Sequence, residues 1–427
     1  MGTPIYSLPN EIIIAIAAAG QEGHTGARTC ELRPTKIIKP EWALSHTSRR
    51  FRDVTVGAPA LWAVIEIIFD LPGSVEILNL YLQCSQGCKV SATFRTLPSE
   101  DSMEGHGLFI KGLGQILLHI ERLWKFAIIL DSGFARKLLA PLRDVGAPHL
   151  QDLEVVSLCD DPVDVELFSS GAPRLSFVRI YGLRLELPAP SWTVALTHLE
   201  LRMGQAVDDL VAIQCPSLVH LHLDIYWTRA RGKGNSRIYI PTLKSLNISI
   251  LVYGAPFPLP AVIDLFDTPA LTELVIGDVH GDQIVHLLNN ASTLHPFPAL
   301  TALSFISSSS YRYESDPPRF AHPPAALFPA LSSLTLINEC RTSHMVRDIL
   351  GQPWPQLETL ALSPPCGDFT AVVEVLKDAL LPDHDHRRPL PKLRLPALLL
   401  ALEDGLGDQA DIEVFEPPPF EGFQWWH

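Results

Sequence analysis

The sequence predicts an α/β protein in which short parallel strands alternate with return segments, stacked as a repeat solenoid. The first observation is a phrase, Pro-x-Leu-x-x-hydrophobic-x-hydrophobic, which occurs nine times, with Val194 in place of the proline once. The second is its period, which varies between 21 and 31 residues. The first leucines of the nine copies are Leu150, Leu175, Leu196, Leu218, Leu243, Leu271, Leu300, Leu331 and Leu357. A unit of this length cannot bury its apolar face alone, so neighbouring units must stack.

The phrase and its period are typical of a leucine-rich repeat. Five return segments carry apolar residues at i, i+3 and i+4, which predicts helices. These residues are Val207, Leu210 and Val211; Val262, Leu265 and Phe266; Ile284, Leu287 and Leu288; Val346, Ile349 and Leu350; and Val372, Val375, Leu376 and Ala379. Helices are wider than the ~4.8 Å between strands, so the strands should line a concave side and the helices a convex side. The asparagine expected eight residues after the first leucine is missing throughout, which predicts an irregular solenoid.

Residues 63–147 continue the alternation of strand and helix without the phrase. Alternating apolar residues predict strands over 65–69, 90–94 and 126–130, and helices are predicted over 75–83 and 112–119. We interpret 63–147 as three degenerate repeats. Residues 148–427 then form the leucine-rich-repeat solenoid proper, which ends in a C-terminal cap and an aromatic tail.

Bulk composition narrows the classes of partner. A net charge of −14 argues against a protein built to coat nucleic acid. Seven cysteines form an odd, scattered set, unlike a secreted disulfide framework. Cys84 and Cys88 form the only close pair and lack a second pair that would complete a zinc site, so we expect buried thiols. No apolar run reaches the ~18–20 residues that span a bilayer. We therefore expect a cytoplasmic or nuclear protein without a nucleic-acid or membrane partner.

Residues 1–62 do not follow the repeat and predict a small helical module. A first helix is opened by Pro9 and capped by Ser7 or Asn10. A second helical segment starts near Pro40, and Pro59-Ala60-Leu61-Trp62 closes the module.

Three blocks in this module, taken in order, resemble the F-box. They are Leu8-Pro9-x-Glu11-Ile12, then Leu44-Ser45-x-x-x-Arg49-Arg50-Phe51-Arg52, then Pro59-x-Leu61-Trp62. The resemblance covers residues 5–66, and an F-box followed by leucine-rich repeats is a familiar family architecture. The chain departs from the family at Thr47 and Ser48, where a Val-Cys pair is usual, and in a longer insert between the first two blocks.

The resemblance implies that the module docks on the Skp-type adaptor of a cullin–RING ubiquitin ligase. The residues that it marks as adaptor-binding are Leu8, Pro9, Ile12, Ile13, Leu44, Phe51, Leu61 and Trp62. An alternative interpretation of the same residues is an N-terminal cap that seals the first repeat of the solenoid.

No catalytic signature occurs in the sequence, which predicts a binding protein without a cofactor rather than an enzyme. The nucleophile elbow, the Walker loop, the dinucleotide glycine motif and the His-Glu-x-x-His motif are all missing. The stretch 384–388 is polar and flanked by prolines, which indicates an exposed loop. Four basic residues between 229 and 237 indicate a solvated loop or, alternatively, a dock for an acidic partner.

Target recognition is predicted on the outward side of the repeat strands. The second, fourth and sixth residues after each first leucine should face solvent there. The partner-binding residues predicted from this rule are Phe177, Arg179, Tyr181, Arg202, His220 and His222. If the third and fourth copies pair in register, His198 lies beside His220 and Glu200 beside His222. That constellation is compatible with a metal site, but a polar recognition surface explains it more simply.

Two hypotheses follow from these observations. In the first, the chain is a substrate receptor of a cullin–RING ligase, with an adaptor on its N-terminal helices and an unknown target protein on its repeats. In the second, it is a repeat scaffold outside the ligase system, whose N-terminal helices only cap the solenoid.

Overall fold

A computed structural model describes a little under two thirds of the chain. The described residues are 7–25, 39–96, 103–130, 134–158, 163–185, 194–202, 215–226, 237–251, 259–279, 283–284, 286–287, 297–307, 327–337, 346–347, 349–350, 354, 356–363, 369–380, 391–396 and 411–415. The chain divides into two compact units, Met1–Ala195 and Leu196–His427. Each unit is α/β with parallel strands, as predicted, and no described helix is long and apolar enough to cross a membrane.

The first unit begins with a helical module. Its helices are α1 (Asn10–Thr25), α2 (Pro40–Thr47) and α3 (Arg49–Val56), followed by a 3-10 turn, Pro59–Trp62. The predicted second segment is thus two helices, because Ser48 adopts an extended conformation and its side chain accepts a hydrogen bond from the Phe51 amide at 3.2 Å. A serine that caps a new helix in this way ends the previous one.

The rest of the first unit alternates strands and helices. The strands are β1 (Val64–Ile68), β2 (Val90–Arg95), β3 (Leu123–Leu130), β4 (Asp152–Ser157), β5 (Val163–Val165), β6 (Phe177–Tyr181) and β7 (Leu183–Leu185). The helices are α4 (Ser74–Cys84), α5 (Met103–Leu117) and α6 (Ala135–Leu139). Strands β1, β2, β3, β4 and β6 pair in parallel in that order, and β5 pairs with β7. The three predicted strands are confirmed, whereas α5 begins earlier than predicted, at Met103.

The second unit carries the later copies of the phrase. Its strands are β8 (His198–Arg202), β9 (His220–Tyr226), β10 (Ile238–Tyr239), β11 (Ser245–Leu251), β12 (Phe266–Asp267), β13 (Glu273–Gly277), β14 (Ala302–Ile306), β15 (Ser333–Ile337), β16 (Thr359–Ser363), β17 (Lys392–Leu395) and β18 (Ile412–Val414). Its helices are α7 (Leu259–Ile263) and α8 (Phe369–Leu380). All but β10 and β12, which pair with each other, follow one another as a parallel sheet.

The predicted return helices are borne out in part. Val262 lies in α7, and the last predicted set, from Val372 to Ala379, lies in α8. Leu265 and Phe266 lie beyond the end of α7, and Phe266 opens β12, so that part of the prediction is wrong. The set at 207–211 lies outside the described residues.

Register places the repeated leucines in rows. Leu221 pairs with Leu246, which pairs with Leu274, and the row continues through β16. Its members are at most 3% exposed: Leu199, Leu221, Leu246, Leu274, Leu303, Leu334 and Leu360. Burying a leucine stabilises by about 1.5–3 kcal/mol, so this row supplies much of the core of the second unit.

The recurrent proline marks a tight corner before each strand. In eight copies, the amide of the first leucine donates to the carbonyl three residues earlier, over 3.0–3.4 Å, and proline is the second residue of that turn. Proline suits this position because its fixed φ fits the turn. The residue before the proline is buried each time: Ala147, Ala172, Cys215, Ile240, Thr268, Phe297, Phe328 and Trp354. This second inward position was not predicted from the sequence.

A ladder of carbonyls and hydroxyls, one residue after the first leucine, joins neighbouring repeats. The residue after the first leucine offers a carbonyl that accepts two amides from the next repeat. Thr272, for example, accepts from the amides of Thr301 and Ala302 at 2.9 and 3.0 Å, and from the Thr301 hydroxyl at 3.1 Å. The same triple contact is made by Gln151, Lys244 and Thr301. The pairs β8–β9 and β9–β11, and those that follow from β11 to β18, keep a constant register although the loop lengths vary.

Candidate functional site

Helix α1 is apolar on both its sides. Ile13 and Ala17 point into the module and are 1% and 0% exposed, whereas Ile12 and Ile16 are 45% and 50% exposed. We call Pro9, Ile12, Ala15, Ile16 and Ala19, all exposed and spaced along one side, the outer ridge. An apolar helix of this kind is normally covered on all sides, so the outer ridge is a candidate docking surface.

The predicted adaptor-binding residues divide into two groups. Pro9 and Ile12 are exposed, and Leu8 and Leu44 are half-buried, so these four remain available to a partner. The other four are at most 2% exposed and form the core of the module: Ile13, Phe51, Leu61 and Trp62. In this structure the helices of the module use these four side chains to pack against one another, and direct contact with an adaptor stays a prediction.

Trp62 shows what the buried group does. Its indole Nε1 donates to the Thr55 carbonyl at 2.8 Å, and its ring meets the edge of the Tyr81 ring at 5.1 Å between centroids. Tyr81 belongs to α4, so Trp62 joins the module to the first helix of the repeats.

A buried polar network, which the sequence did not reveal, fixes the same junction. The Tyr81 hydroxyl donates to Glu41 Oε1 at 2.5 Å and accepts from Trp42 Nε1 at 2.8 Å. Gln21 Nε2 donates to Glu41 Oε2 at 2.9 Å and to the Leu61 carbonyl at 2.7 Å. Burial, followed by Glu41, raises the pKa of Tyr81 well above its ordinary value, so the hydroxyl keeps its proton and remains a donor.

The start of α1 is held by α3. The Arg50 Nη2 donates to the Leu8 carbonyl at 2.5 Å and to Asn10 Oδ1 at 3.0 Å. The first-turn amides of Ile12 and Ile13 donate to the Pro9 carbonyl at 3.1 and 3.3 Å. The Asn10 side chain therefore binds Arg50, and Asn10 is the first residue of the helix.

The outward side of the first-unit sheet carries three ion pairs across neighbouring strands. Glu66 lies 3.5 Å from Arg95, Lys125 lies 2.8 Å from Asp152, and Glu154 lies 3.4 Å from Arg179. Each acid is matched by a base, so these pairs carry no net charge.

The three predicted partner-binding residues of β6 lie on this outward side. Phe177, Arg179 and Tyr181 are half-buried and alternate with Val178 and Ile180, which are buried. The Arg179 guanidinium lies 5.6 Å from the centre of the Phe177 ring, a cation–π contact. The predicted outward orientation of these three side chains therefore matches the structure.

The predicted register of β8 and β9 is confirmed. His198 pairs with His220, Glu200 with His222, and Arg202 with Asp224. The imidazoles of His198 and His220 stack with 4.4 Å between centroids and 20° between planes. Burial, and then the neighbouring His220, lowers the pKa of His198, which favours its neutral form.

Charged residues crowd the next rows of the same two strands. Arg202 Nε lies 2.5 Å from Glu200 Oε1 and 3.5 Å from Asp224 Oδ2. His222 lies 3.7 Å from Glu200 and 3.1 Å from Asp224 through its two ring nitrogens. We call Glu200, Arg202, His222 and Asp224 the charged cluster. Its carboxylates are mostly buried, so Arg202 serves first to neutralise them.

The prediction that the sixth residue after each first leucine faces solvent is wrong for most repeats of the second unit. The residues there are buried: Asp224, Ser249, Gly277, Ile306, Ile337 and Ser363. They pair with one another along the sheet. In these repeats, outward-facing side chains are thus confined to the second and fourth positions.

The remaining predicted features give no site. In the part of the chain that the structure describes, no group of three or more His, Cys, Asp or Glu is arranged to hold a metal ion. Of the basic residues at 229–237, Arg237 binds Asp264 at 3.1 Å, and the others lie outside the described residues, as does 384–388. Cys84, Cys88 and Cys215 are free thiols, and burial raises the pKa of Cys215 to about 12.

Comparisons with known proteins add little to this description. No protein-family model matches the chain, and no curated protein matches it. Among solved structures, a crystal structure of a Bacteroides fragilis protein from a structural genomics consortium aligns over 78% of this chain and 76% of its own. The two share 15% identity at a TM-score of 0.30.

Proposed function

We propose that the chain is a substrate-recognition subunit of a Skp–cullin–F-box type ubiquitin ligase. The N-terminal module docks on the Skp-type adaptor, and the outward side of the repeat strands binds a target protein. The chain makes and breaks no bond itself; it raises the effective concentration of the target near the ubiquitin-loaded enzyme.

The single observation that carries this proposal is the outer ridge of α1 within an F-box-like sequence. Ile12 and Ile16 are one helical turn apart, and each exposes about half of its surface. Burying such residues against a partner is favourable by roughly 25 cal/mol per Å² of apolar area, and residues of this kind serve as interface anchors. Leu8 and Pro9, from the family motif, extend the same surface at the start of the helix.

Target recognition is assigned to the outward residues of β6, β8 and β9. Phe177, Arg179 and Tyr181 combine aromatic and guanidinium groups, which are enriched in binding hot spots. In the second unit, His220 and His222 are reachable, whereas Arg202 is engaged by the charged cluster. We therefore expect Arg202 to contribute mainly by holding Glu200 and Asp224.

The experiment is a binding measurement between the full chain and a purified Skp-type adaptor. Replacing Ile12 and Ile16 with aspartate should weaken binding at least about thirtyfold, because two apolar anchors become charged. Leu118→Asp is the matched control: Leu118 is 76% exposed and lies outside the module, so the same chemical change there should leave binding unaltered. Equal binding by the Ile12/Ile16 variant and the wild type would show that the adaptor does not bind the outer ridge.

The second candidate function is a repeat scaffold outside the ligase system. The contact between Trp62 and Tyr81 and the network around Glu41 favour it, since both seal the first repeat as a cap does. The same measurement separates the two candidates, because a scaffold would leave the wild-type chain without affinity for the adaptor.

A further inference from the structure

Arg50 contacts the segment that the proposed function needs most. It lies on α3, but its guanidinium reaches across to the Leu8 carbonyl and to Asn10 Oδ1. Leu8 and Pro9 precede the first residue of α1. Pro9 is held by the first turn, because its carbonyl accepts from the amides of Ile12 and Ile13, whereas the Leu8 carbonyl, one residue further out, accepts from Arg50. Arg50 thus binds the residues on both sides of Pro9, namely Leu8 and Asn10.

Helix α3 is itself well anchored, which makes Arg50 a firm support. Phe51, the next residue, is 1% exposed, and its amide is capped by the Ser48 side chain at 3.2 Å. Arg52 Nε donates to the Ser45 carbonyl at 3.0 Å, which ties α3 to α2. The Arg50 side chain therefore extends from a backbone that packing and hydrogen bonds both fix.

We propose that Arg50 is a positioning residue that holds Leu8 to Asn10 in the conformation that docks on the adaptor. The inference rests on the proposed function. Leu8 and Pro9 belong to the surface offered to the partner, and ordering them before binding removes an entropic cost that binding would otherwise bear. The planar guanidinium suits this task, because its several donors can serve a carbonyl and an amide oxygen together.

The chain supplies a matched control in the neighbouring arginine. Arg49 is exposed on the same helix and makes no side-chain hydrogen bond or ion pair within the described ranges. Arg49→Ala and Arg50→Ala remove the same charge from neighbouring positions of α3. A purely electrostatic effect on the adaptor would be similar for both, whereas positioning is specific to Arg50.

Two measurements on the full chain test the proposal. Amide hydrogen exchange at Ile12 and Ile13 reports how firmly the start of α1 is held, and the dissociation constant for the purified adaptor reports docking. We expect Arg50→Ala to speed exchange at these amides and to weaken docking about fivefold or more, with an unchanged thermal transition. Arg50→Lys, which keeps the charge and three donors, should restore most of the affinity, and Arg49→Ala should match the wild type in both measurements.

Each result bears on one of the two proposals. Unchanged exchange at Ile12 and Ile13 in Arg50→Ala would overturn the positioning role, as would equal loss of affinity in the Arg49 and Arg50 variants. Absence of adaptor binding by the wild type would overturn the proposed function, while the exchange data would still show whether Arg50 orders the start of α1.

Discussion

Two groups of repeat strands are alike on their inward side and different on their outward side. Strands β4, β6, β8 and β9 carry large or charged residues at the outward positions: Asp152, Glu154, Phe177, Arg179, Tyr181, His198, Glu200, Arg202, His220 and His222. Strands β13 to β16 carry mainly small ones at their second and fourth positions: Glu273, Val275, Ala302, Ser304, Ser333, Thr335, Thr359 and Ala361. Both groups keep the buried apolar row, and all their strands except β8, where Val194 replaces the proline, keep the proline corner. The fold is therefore specified inward and at the corners, and the outward residues are free to vary.

The largest effect expected is one that does not distinguish the two groups. Leu221 in β9 and Leu334 in β15 are 3% and 2% exposed at equivalent inward positions. Leu221→Ala and Leu334→Ala should each lower the free energy of unfolding by about 2–5 kcal/mol through lost transfer energy and a new cavity. Denaturant unfolding measures this. A loss well below 1 kcal/mol at either site would show that its inward row is not a core row.

The next effect should distinguish the groups by binding. Once a target is captured, Phe177→Ala with Tyr181→Ala should weaken its binding by about 2 kcal/mol, since aromatic side chains commonly anchor interfaces. Ser304→Ala with Thr335→Ala is the matched pair of outward replacements in β14 and β15, and it should leave affinity unchanged. The reverse result would assign recognition to the small-residue strands.

A smaller effect is expected in the charged cluster, and it concerns stability. Glu200→Gln keeps the shape of the side chain but leaves Arg202 with one carboxylate fewer, so unfolding should become easier by about 1–2 kcal/mol. Glu273→Gln is the control, because Glu273 is an exposed carboxylate in β13. Equal stability of the two variants would mean that the Glu200 carboxylate charge adds nothing to the stability of the fold.

The sequence predicts the strands well because the leucine phrase repeats both a spacing and an orientation. The pairing of His198 with His220 was predicted by aligning two copies, and the structure has that register. The corner residue before each proline could also have been predicted, since Ile240, Phe297 and Phe328 are large and apolar at equivalent places. Two hydroxyls of the ladder, Thr272 and Thr301, likewise recur one residue after the first leucine.

The polar contacts of the helical module could not be predicted in this way. Glu41 and Tyr81 are 40 residues apart, and no period connects them. In sequence, Glu41 is one more acid in the first turn of a helix, a place where exposed glutamates are common. The sequence pattern also cannot predict that Ile13 is buried and Ile12 exposed, because both are apolar and tertiary packing decides which side of the helix faces the core.

The smallest effect concerns the hydroxyls one residue after the first leucines, such as those of Thr272 and Thr301. Each donates to the main-chain carbonyl of the equivalent residue in the preceding repeat. Thr301→Val removes the bond from the hydroxyl to the Thr272 carbonyl but keeps the two backbone amides that reach the same oxygen. The carbonyl therefore stays satisfied, and the loss in unfolding free energy should be only about 0.5 kcal/mol, at the lower end for a hydrogen bond. Thr335→Val is the control, since the Thr335 hydroxyl has no hydrogen-bond partner among the described residues. A loss above about 2 kcal/mol at Thr301 would mean that the hydroxyls, rather than the backbone amides, hold the repeats in register.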